Sequence, residues 1–321
     1  MSDSILVSGA SGLVGYSILK TLRKKKFNLI GTSIYNLSPA LIFCDAFEKA
    51  PLTSDPCYFC WLNHIIDKYH IKMIIPGIED DMISWANNKN SIFNTFILIN
   101  NPNLIKTCSD KWFFYKKIEK CSFAIPTFID IPSNIKLPII IKPRRGYGSK
   151  GIFRINDKNE LMNKKNLIGR THILQPLIDA DFELTVSAFF DIKSCLRAIF
   201  TLKRVLSKQG FTEFAETYSS ECILDIITKL AKIFYPVGPT NFQFIVKEQN
   251  IYLLEINPRI SSSTSIRAGF GFNEALMSFD YFINRKKISQ PNVLRGSSIR
   301  YINEEFFYES TIENLSEFRH F

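Results

Sequence analysis

Strand and helix signals alternate through the first hundred residues, and this alternation constrains the fold more than any other feature of the chain. Ser4-Ile-Leu-Val-Ser8 reads as a buried strand, followed by a glycine turn and a helix through about Lys25. Residues 27–32 form a second apolar run, and Lys72-Met-Ile-Ile-Pro76 a third, preceded by a helical pattern over Tyr58–Tyr69. Thr95-Phe-Ile-Leu-Ile99 is a fourth. Strands separated by helices imply a parallel sheet covered on both faces. A different unit is expected from about Asn101-Pro-Asn, opening with a helix that carries Lys111 in its first turns. Past Pro126 the pattern changes to short strands with turn signals: residues 138–142, 151–155 and 171–175. Longer strands follow at 182–190, 195–203 and 242–247, with a helix over 220–234 between the last two. The expected units are residues 1–104, 105–178 and 179–321.

The bulk numbers exclude several classes. At 321 residues the chain suits two or three packed units. With 46% hydrophobic and 22% charged residues it is globular and not disordered. No apolar run approaches the roughly 20 residues of a membrane span. The N-terminus enters a strand pattern without the basic–apolar–small layout of a signal peptide, so a cytoplasmic location is expected. Seven scattered cysteines include one C-x-x-C, Cys57 and Cys60, with no second pair to complete a zinc site. That pair is expected to be reduced and partly buried. The formal charge of +10 is partly held in runs such as Arg23-Lys-Lys-Lys26 at a helix end, where cations complement the helix dipole. No basic stripe is interleaved with stacking aromatics, so anionic small molecules are expected as partners and not nucleic acid.

Three stretches carry chemistry. Gly9-Ala-Ser-Gly12-Leu-Val-Gly15 follows a strand and opens a helix, the context of a dinucleotide loop. The same glycines would equally permit close strand–helix packing. In Ile139-Ile-Ile-Lys142-Pro-Arg-Arg-Gly146-Tyr-Gly148-Ser149-Lys-Gly151, a lysine ends a buried strand, which is costly unless its ammonium meets an anion. The glycines and cations behind it suit a loop wrapping phosphate oxygens, although no Gly-Lys-Ser/Thr of a Walker loop is present. Ile251-Tyr-Leu-Leu-Glu255-Ile-Asn257-Pro-Arg259 places acid, amide and guanidinium at every second position, hence on one face of a strand. Gln243, on the preceding strand, is expected to pair with it in a hairpin. Gln243, Glu255 and Asn257 would then offer oxygens suited to Mg²⁺, with Arg259 suited to phosphate. The Ser261-Ser-Ser-Thr-Ser265 run with Arg267 behind it reads as a loop built around an anion.

The second and third stretches, in this order and spacing, resemble the ATP-grasp superfamily, in particular its carbamoyl-phosphate-synthetase-like branch, which includes the lysine ligase of pyrrolysine biosynthesis. The resemblance implies an α/β chain: a Rossmann-like parallel-sheet domain, then a two-lobed α+β grasp. It implies that Lys111 and Lys142 contact nucleotide phosphates, with Arg259 on the transferred phosphoryl and the flap of Gly146, Gly148, Ser149 and Gly151 above them. Gln175, Pro176, Leu177 and Ile178 would be the hinge that reads adenine, and Glu183 the ribose acid. Gln243, Glu255 and Asn257 match metal ligands for Mg²⁺, with Mn²⁺ as a substitute. Arg204 and Arg267 match substrate or phosphoryl contacts. The hinge departs from the family in carrying Gln-Pro where a Glu is common. The implied reaction joins a small-molecule carboxylate to an amine through an acyl phosphate, at the expense of ATP. A homodimer is the default expectation.

Two other readings follow from the same residues. The glycine spacing resembles extended short-chain dehydrogenases, which use NAD(P) and need a Tyr-x-x-x-Lys downstream. The only match, Tyr16 to Lys20, falls inside the first helix, and Gly31-Thr-Ser-Ile-Tyr35 lacks a ribose-binding acid. A non-catalytic ATP-binding regulator would keep the phosphate residues without turnover. The triplet Glu79-Asp80-Asp81 reads either as an ammonium-binding cluster or as a solvated helix start.

Overall fold

The structure is a computed structural model that describes residues 2–146, 151–308 and 310–312. It begins with a five-stranded parallel sheet of β1 (Asp3–Val7), β2 (Phe27–Ser33), β3 (Ala46–Lys49), β4 (Ile71–Ile75) and β5 (Phe96–Ile97), in the order β3-β2-β1-β4-β5. Three helices connect them: α1 (Leu13–Leu22), α2 (Tyr58–Tyr69) and α3 (Glu79–Asn87). The central strand β1 is buried from Ser4 onward, as its unbroken apolar run requires of a strand covered on both faces. The glycines around its end allow close backbone approach. A Cβ on Gly15 would lie 2.7 Å from the Gly9 carbonyl oxygen, and one on Gly77 would lie 2.1 Å from that of Ser8. Gly9 itself has φ +56°, a conformation that glycine adopts without steric cost. The close-packing reading of this loop therefore accounts for its glycines.

Two helices, α4 (Pro102–Cys108) and α5 (Lys111–Ile118), lead into a three-stranded antiparallel sheet, β7-β6-β8, made of β6 (Ile139–Pro143), β7 (Phe153–Ile155) and β8 (His172–Pro176). Helix α6 (Lys158–Lys164) packs on it, and Ile139, Ile141, Ile155, Leu161 and Leu174 form its own small core. The third sheet is six-stranded and antiparallel: β9 (Phe182–Phe190), β10 (Leu196–Leu206), β11 (Thr212–Tyr218), β12 (Gly238–Lys247), β13 (Asn250–Asn257) and β14 (Ser297–Ile299), in the order β13-β12-β9-β10-β11-β14. Helix α7 (Glu221–Phe234) turns Ile223, Ile227, Leu230 and Phe234 toward one face, the spacing of a helical stripe. Helices α8 (Thr264–Gly269) and α9 (Glu274–Phe282) cover the other side and pack against α1.

One core runs through two of these units. Ile5, Val7, Ile18 and Leu19 belong to the same buried cluster as Phe189, Phe200, Phe272, Phe279 and Phe282. The parallel sheet is thus fixed to the large antiparallel one by shared apolar burial. Three strands lie outside the runs expected from sequence: β3, β11 and β14. The expected helix around Lys111 is two helices, with Lys111 as the first residue of the second. Cys57 and Cys60 are both exposed, not partly buried. No described helix is long and apolar enough to cross a membrane. Residues 301–308 and 310–312 carry no regular structure.

Candidate active site

A cavity of about 500 Å³ opens where the three sheets meet, and it gathers nearly all the residues singled out from sequence. Lys142 stands at the end of β6, buried, with Nζ donating to the Tyr115 hydroxyl at 3.1 Å and 4.8 Å from the centre of that ring. The Tyr115 hydroxyl in turn donates to the Leu254 carbonyl at 2.6 Å. Burial lowers the Lys142 pKa to about 8, with the Glu255 carboxylate opposing the shift. A buried ammonium bonded only to a phenol is under-coordinated for its charge.

Lys111 reaches the same space from the first turn of α5. Its Nζ donates to the Gly146 carbonyl at 2.9 Å, and burial depresses its pKa against the pull of Glu255. The start of α5 is held by Asp110, whose carboxylate caps Trp112 N–H at 2.9 Å and takes a two-pronged contact from Arg144 at 3.1 and 2.8 Å. This fastens the segment after β6 to the helix carrying Lys111. Gly146 and its neighbour Pro143 line the cavity, whereas Gly148 and Ser149 lie outside the described residues. Gly151 has φ +71° and packs beside Pro143.

The β12–β13 ladder sets Gln243 directly opposite Glu255 and Asn241 opposite Asn257, so the hairpin expected from sequence is present. Asn257 Nδ2 donates to Glu255 Oε1 at 2.9 Å, and Asn257 Oδ1 accepts from Arg259 Nη2 at 3.5 Å. Arg259 is anchored by its own loop, Nη1 donating to the Ile260 carbonyl at 3.0 Å, and burial depresses its pKa while Glu79 and Glu255 oppose. On the sheet floor Arg204 joins Glu183, at 3.1 Å, to Gln243 Oε1. Gln175, Pro176, Leu177 and Ile178, the hinge expected from the resemblance, also line the cavity. Gln175 Nε2 donates to Thr127 Oγ1 at 2.6 Å, and Leu177 N–H to the Pro138 carbonyl at 3.2 Å.

Oxygen donors from Gln243, Glu255 and Asn257 suit a hard divalent cation. Among the described residues no group of three or more acidic, His or Cys side chains could hold a metal. With one carboxylate and two amides, the donor set fits Mg²⁺ held partly by substrate phosphates and water, the usual arrangement for that ion.

Two expectations come out differently. Arg267 does not line the cavity. It is fully buried, bonded to Glu274 at 2.9 Å by both Nε and Nη2, and its Nη2 also donates to Ser261 Oγ. It supports the serine loop from behind, because a guanidinium with no solvent access requires an anionic partner and has found it on α9. The acidic triplet is neither one cluster nor a solvated turn. Glu79 faces the cavity, its pKa raised by burial despite Arg259 and Lys111. Asp80 is exposed, and Asp81 is buried against Thr53 and Tyr58, whose hydroxyls donate to it at 2.6 and 2.9 Å.

The cleft between the two antiparallel sheets thus holds a buried lysine, a glycine-bearing loop and a hairpin of oxygen-bearing side chains. Residues 108–263 match the model of the ATP-grasp domain, and residues 5–97 that of the PylC-like N-terminal domain. The carbamoyl phosphate synthase large chain of Pseudothermotoga lettingae is 24% identical over 194 residues, 51% of this chain and 17% of that protein. The chain therefore spans about a sixth of the length of that curated relative. Similar solved structures include N5-carboxyaminoimidazole synthetase from Staphylococcus aureus complexed with ADP. The two share a TM-score of 0.73 and 14% identity over 91% of this chain and 81% of that one. L-amino acid ligase from Bacillus licheniformis gives a TM-score of 0.66 and 13% identity, over 87% and 74%. The chain thus carries an ATP-grasp domain over residues 108–263, with a PylC-like N-terminal domain over residues 5–97 ahead of it.

Proposed function

We propose that this protein is a Mg·ATP-dependent ligase that joins a small-molecule carboxylate to an amine through an acyl phosphate. The observation that carries this reading is Lys142, a buried cation that lines the same cavity as Glu255 and forms no ion pair among the described residues. In the proposed reaction a substrate carboxylate oxygen attacks the γ-phosphorus of ATP, and the bond to the β-phosphate oxygen breaks, releasing ADP. The amine nitrogen then attacks the acyl carbon, phosphate leaves with the carbon–oxygen bonding pair, and the nitrogen loses a proton.

The protein supplies position and fixed charge. Lys142 and Lys111 hold phosphate oxygens, and Arg259 offsets charge on the moving phosphoryl group. Gln243, Glu255 and Asn257 would hold the metal, which when bound neutralises phosphate charge. Glu183 would take the ribose hydroxyls, and Arg204 fixes Glu183 and Gln243 relative to one another. The adenine would lie along residues 175–178. Pro176 has no N–H and Leu177 N–H is already engaged, so Ile178 N–H is the hinge donor proposed to read the base. Cavity-lining apolar groups such as Ile125, Ile140, Leu254 and Ile256 exclude water, which would otherwise hydrolyse the acyl phosphate.

The reading is tested by ADP release from Mg·ATP with amino acid and carboxylate mixtures. Glu255→Gln and Lys142→Ala are each expected to abolish ADP formation while thermal unfolding of the ligand-free chain stays cooperative. Tight ATP binding without ADP from any acceptor pair would replace the ligase with a regulator. Stabilisation by NADPH and not by ATP would replace it with a dehydrogenase.

A further inference from the structure

Nothing in the sequence distinguished Tyr115 from Phe113 and Phe114, the aromatic residues just before it on α5. In the structure it is buried, and it alone of the three brings a hydroxyl. A buried phenol needs a partner for its O–H. This one has two, accepting from Lys142 Nζ at 3.1 Å and donating to the Leu254 carbonyl at 2.6 Å. Lys142 Nζ also lies 4.8 Å from the ring centre, within cation–π range. Among the described residues the ammonium has no other hydrogen-bond partner. Burial raises the Tyr115 pKa well above the ordinary phenol value, with Gln175 opposing and Glu255 adding to the rise. Lys142 therefore rests on a neutral dipole and a π face, not on a tyrosinate.

The two ends of this contact belong to different parts of the molecule. Tyr115 is packed into the core of the large antiparallel sheet, in one cluster with Ile118, Phe123, Leu253 and Ile256. Its ring meets Phe114 edge to face at 4.9 Å, which leaves it little freedom to turn. Lys142 ends β6 of the small sheet, whose Ile139 and Ile141 belong to a separate core. Leu254, which takes the phenol's proton, is the residue before Glu255 on β13. The line from Lys142 through the phenol to β13 thus sets the offset between a cation on one sheet and a carboxylate on the other. Lys111 stands four residues before Tyr115, on the same face of α5, and reaches the same cavity. An ammonium has three N–H donors, so one spent on the phenol leaves two for phosphate oxygens.

We propose that Tyr115 is a positioning residue for nucleotide phosphate binding, holding the Lys142 ammonium at a set distance from β13 and aiming its free N–H groups into the cleft. This deepens the Mg·ATP reading and rests on it. A lysine side chain is long and flexible, and one held in place beforehand loses less entropy when it grips a phosphate. The phenol oxygen and the ring face both favour the charged form of Lys142 over the neutral one, against the burial that draws its pKa to about 8. The groups that face Lys142 are Tyr115 and Lys111 from α5 and Glu255 from β13. Without the hydroxyl, Glu255 alone would offset burial and the like charge of Lys111, and the lysine pKa would fall further. Phenylalanine at 115 would also leave the Leu254 carbonyl without its donor, a structural loss that is independent of any phosphate.

A double-mutant cycle on Mg·ADP binding separates the two losses. Affinity would be measured by calorimetry for the full-length wild type, Tyr115→Phe, Lys142→Met and the double variant, with cooperative urea unfolding of each ligand-free protein as the check on folding. Tyr115→Phe alone should weaken Mg·ADP about tenfold, the scale of a lost hydrogen bond to a charged group. In the Lys142→Met background the same substitution should change affinity by less than about twofold, because the group it positions is gone. Proton uptake gives a second reading. At pH 7 the wild-type lysine is already protonated and takes up little on binding Mg·ADP, whereas Tyr115→Phe should take up more. The positioning role is overturned if Tyr115→Phe binds as the wild type does, if it weakens binding equally in both backgrounds, or if it adds no proton uptake. If the wild type binds neither Mg·ADP nor Mg·ATP, the nucleotide reading itself falls and takes this role with it.

Discussion

Lys142 carries a pH dependence whose sign can be worked out. Its pKa in the ligand-free protein is about 8, against 10.5 for a free side chain. At neutral pH it is largely protonated, and an arriving phosphate meets an ammonium. As pH rises through 8 the amine becomes neutral, and anion binding must then take up a proton. ATP affinity is therefore expected to fall by up to about tenfold per pH unit above 8, one unit of pKa being worth about 1.4 kcal/mol. Calorimetry in buffers of differing ionisation enthalpy would report proton uptake approaching one per nucleotide at pH 9. Lys142→Arg, permanently charged, should abolish that uptake, and uptake unchanged in this variant would assign the titration elsewhere. The ligand-free stability responds in the opposite direction. Between pH 8 and 10.5 the unfolded chain binds more protons at this residue than the folded one, so this lysine's contribution to stability rises with pH.

At the scale of elements, the serine loop shows how one ion pair sets the shape of a cavity wall. Arg267 on α8 and Glu274 on α9 are both fully buried, and Arg267 also holds Ser261 and contacts Asn241 Oδ1 at 3.4 Å. Arg267→Ala should destabilise the protein by about 3–5 kcal/mol, because it strands the Glu274 carboxylate in the core. Replacing both residues by apolar ones of similar size should recover much of that loss, as urea unfolding of the single and double variants would show. A loss under about 1 kcal/mol in the single variant would mean that the pair contributes little. The same elements show what sequence could reveal. Strands β1, β4 and β6 hold short apolar runs, β9 alternates apolar with polar residues, and Glu255, Asn257 and Arg259 show period-two spacing, so these strands and the hairpin carrying Glu255 were legible. Strand β11 reads Thr212-Glu-Phe-Ala-Glu-Thr-Tyr218, with Thr or Glu at four of seven positions and a tyrosine at its end, and β14 has only three residues. Neither carries enough apolar patterning to announce itself. Arg267 was misread for a related reason: an arginine in a serine-rich loop looks like an anion site until its partner, seven residues on, is seen to be buried with it.

For the molecule as a whole, the distribution of cores predicts which parts unfold together. The parallel sheet does not enclose a private interior on its α1 side. Ile18, Leu19 and Leu22 share a cluster with Phe272, Ala275 and Phe279, and Phe27 meets Phe279 edge to face at 4.8 Å. Asn100 adds a polar tie, its Nδ2 donating to Thr240 at 2.8 Å and its Oδ1 accepting from Val237 N–H at 2.8 Å. Separating the first unit from the large antiparallel sheet would expose this apolar surface at roughly 25 cal/mol per Å². The two should therefore melt in one cooperative transition, with residues 1–104 aggregating when expressed alone. The small sheet differs, because Ile139, Ile141, Ile155, Leu161 and Leu174 give it a compact core of its own. It reaches the rest of the molecule partly through the cavity, where Lys142 bonds Tyr115 and the Leu254 carbonyl lies beyond. Amide exchange in β6, β7 and β8 should accordingly be faster than in β1 or β9 in the free protein, and Mg·ATP should slow it most there. Two separated calorimetric transitions, one assignable to the parallel sheet, would contradict the shared core. Equal nucleotide protection in all three sheets would contradict a separately mobile small lobe.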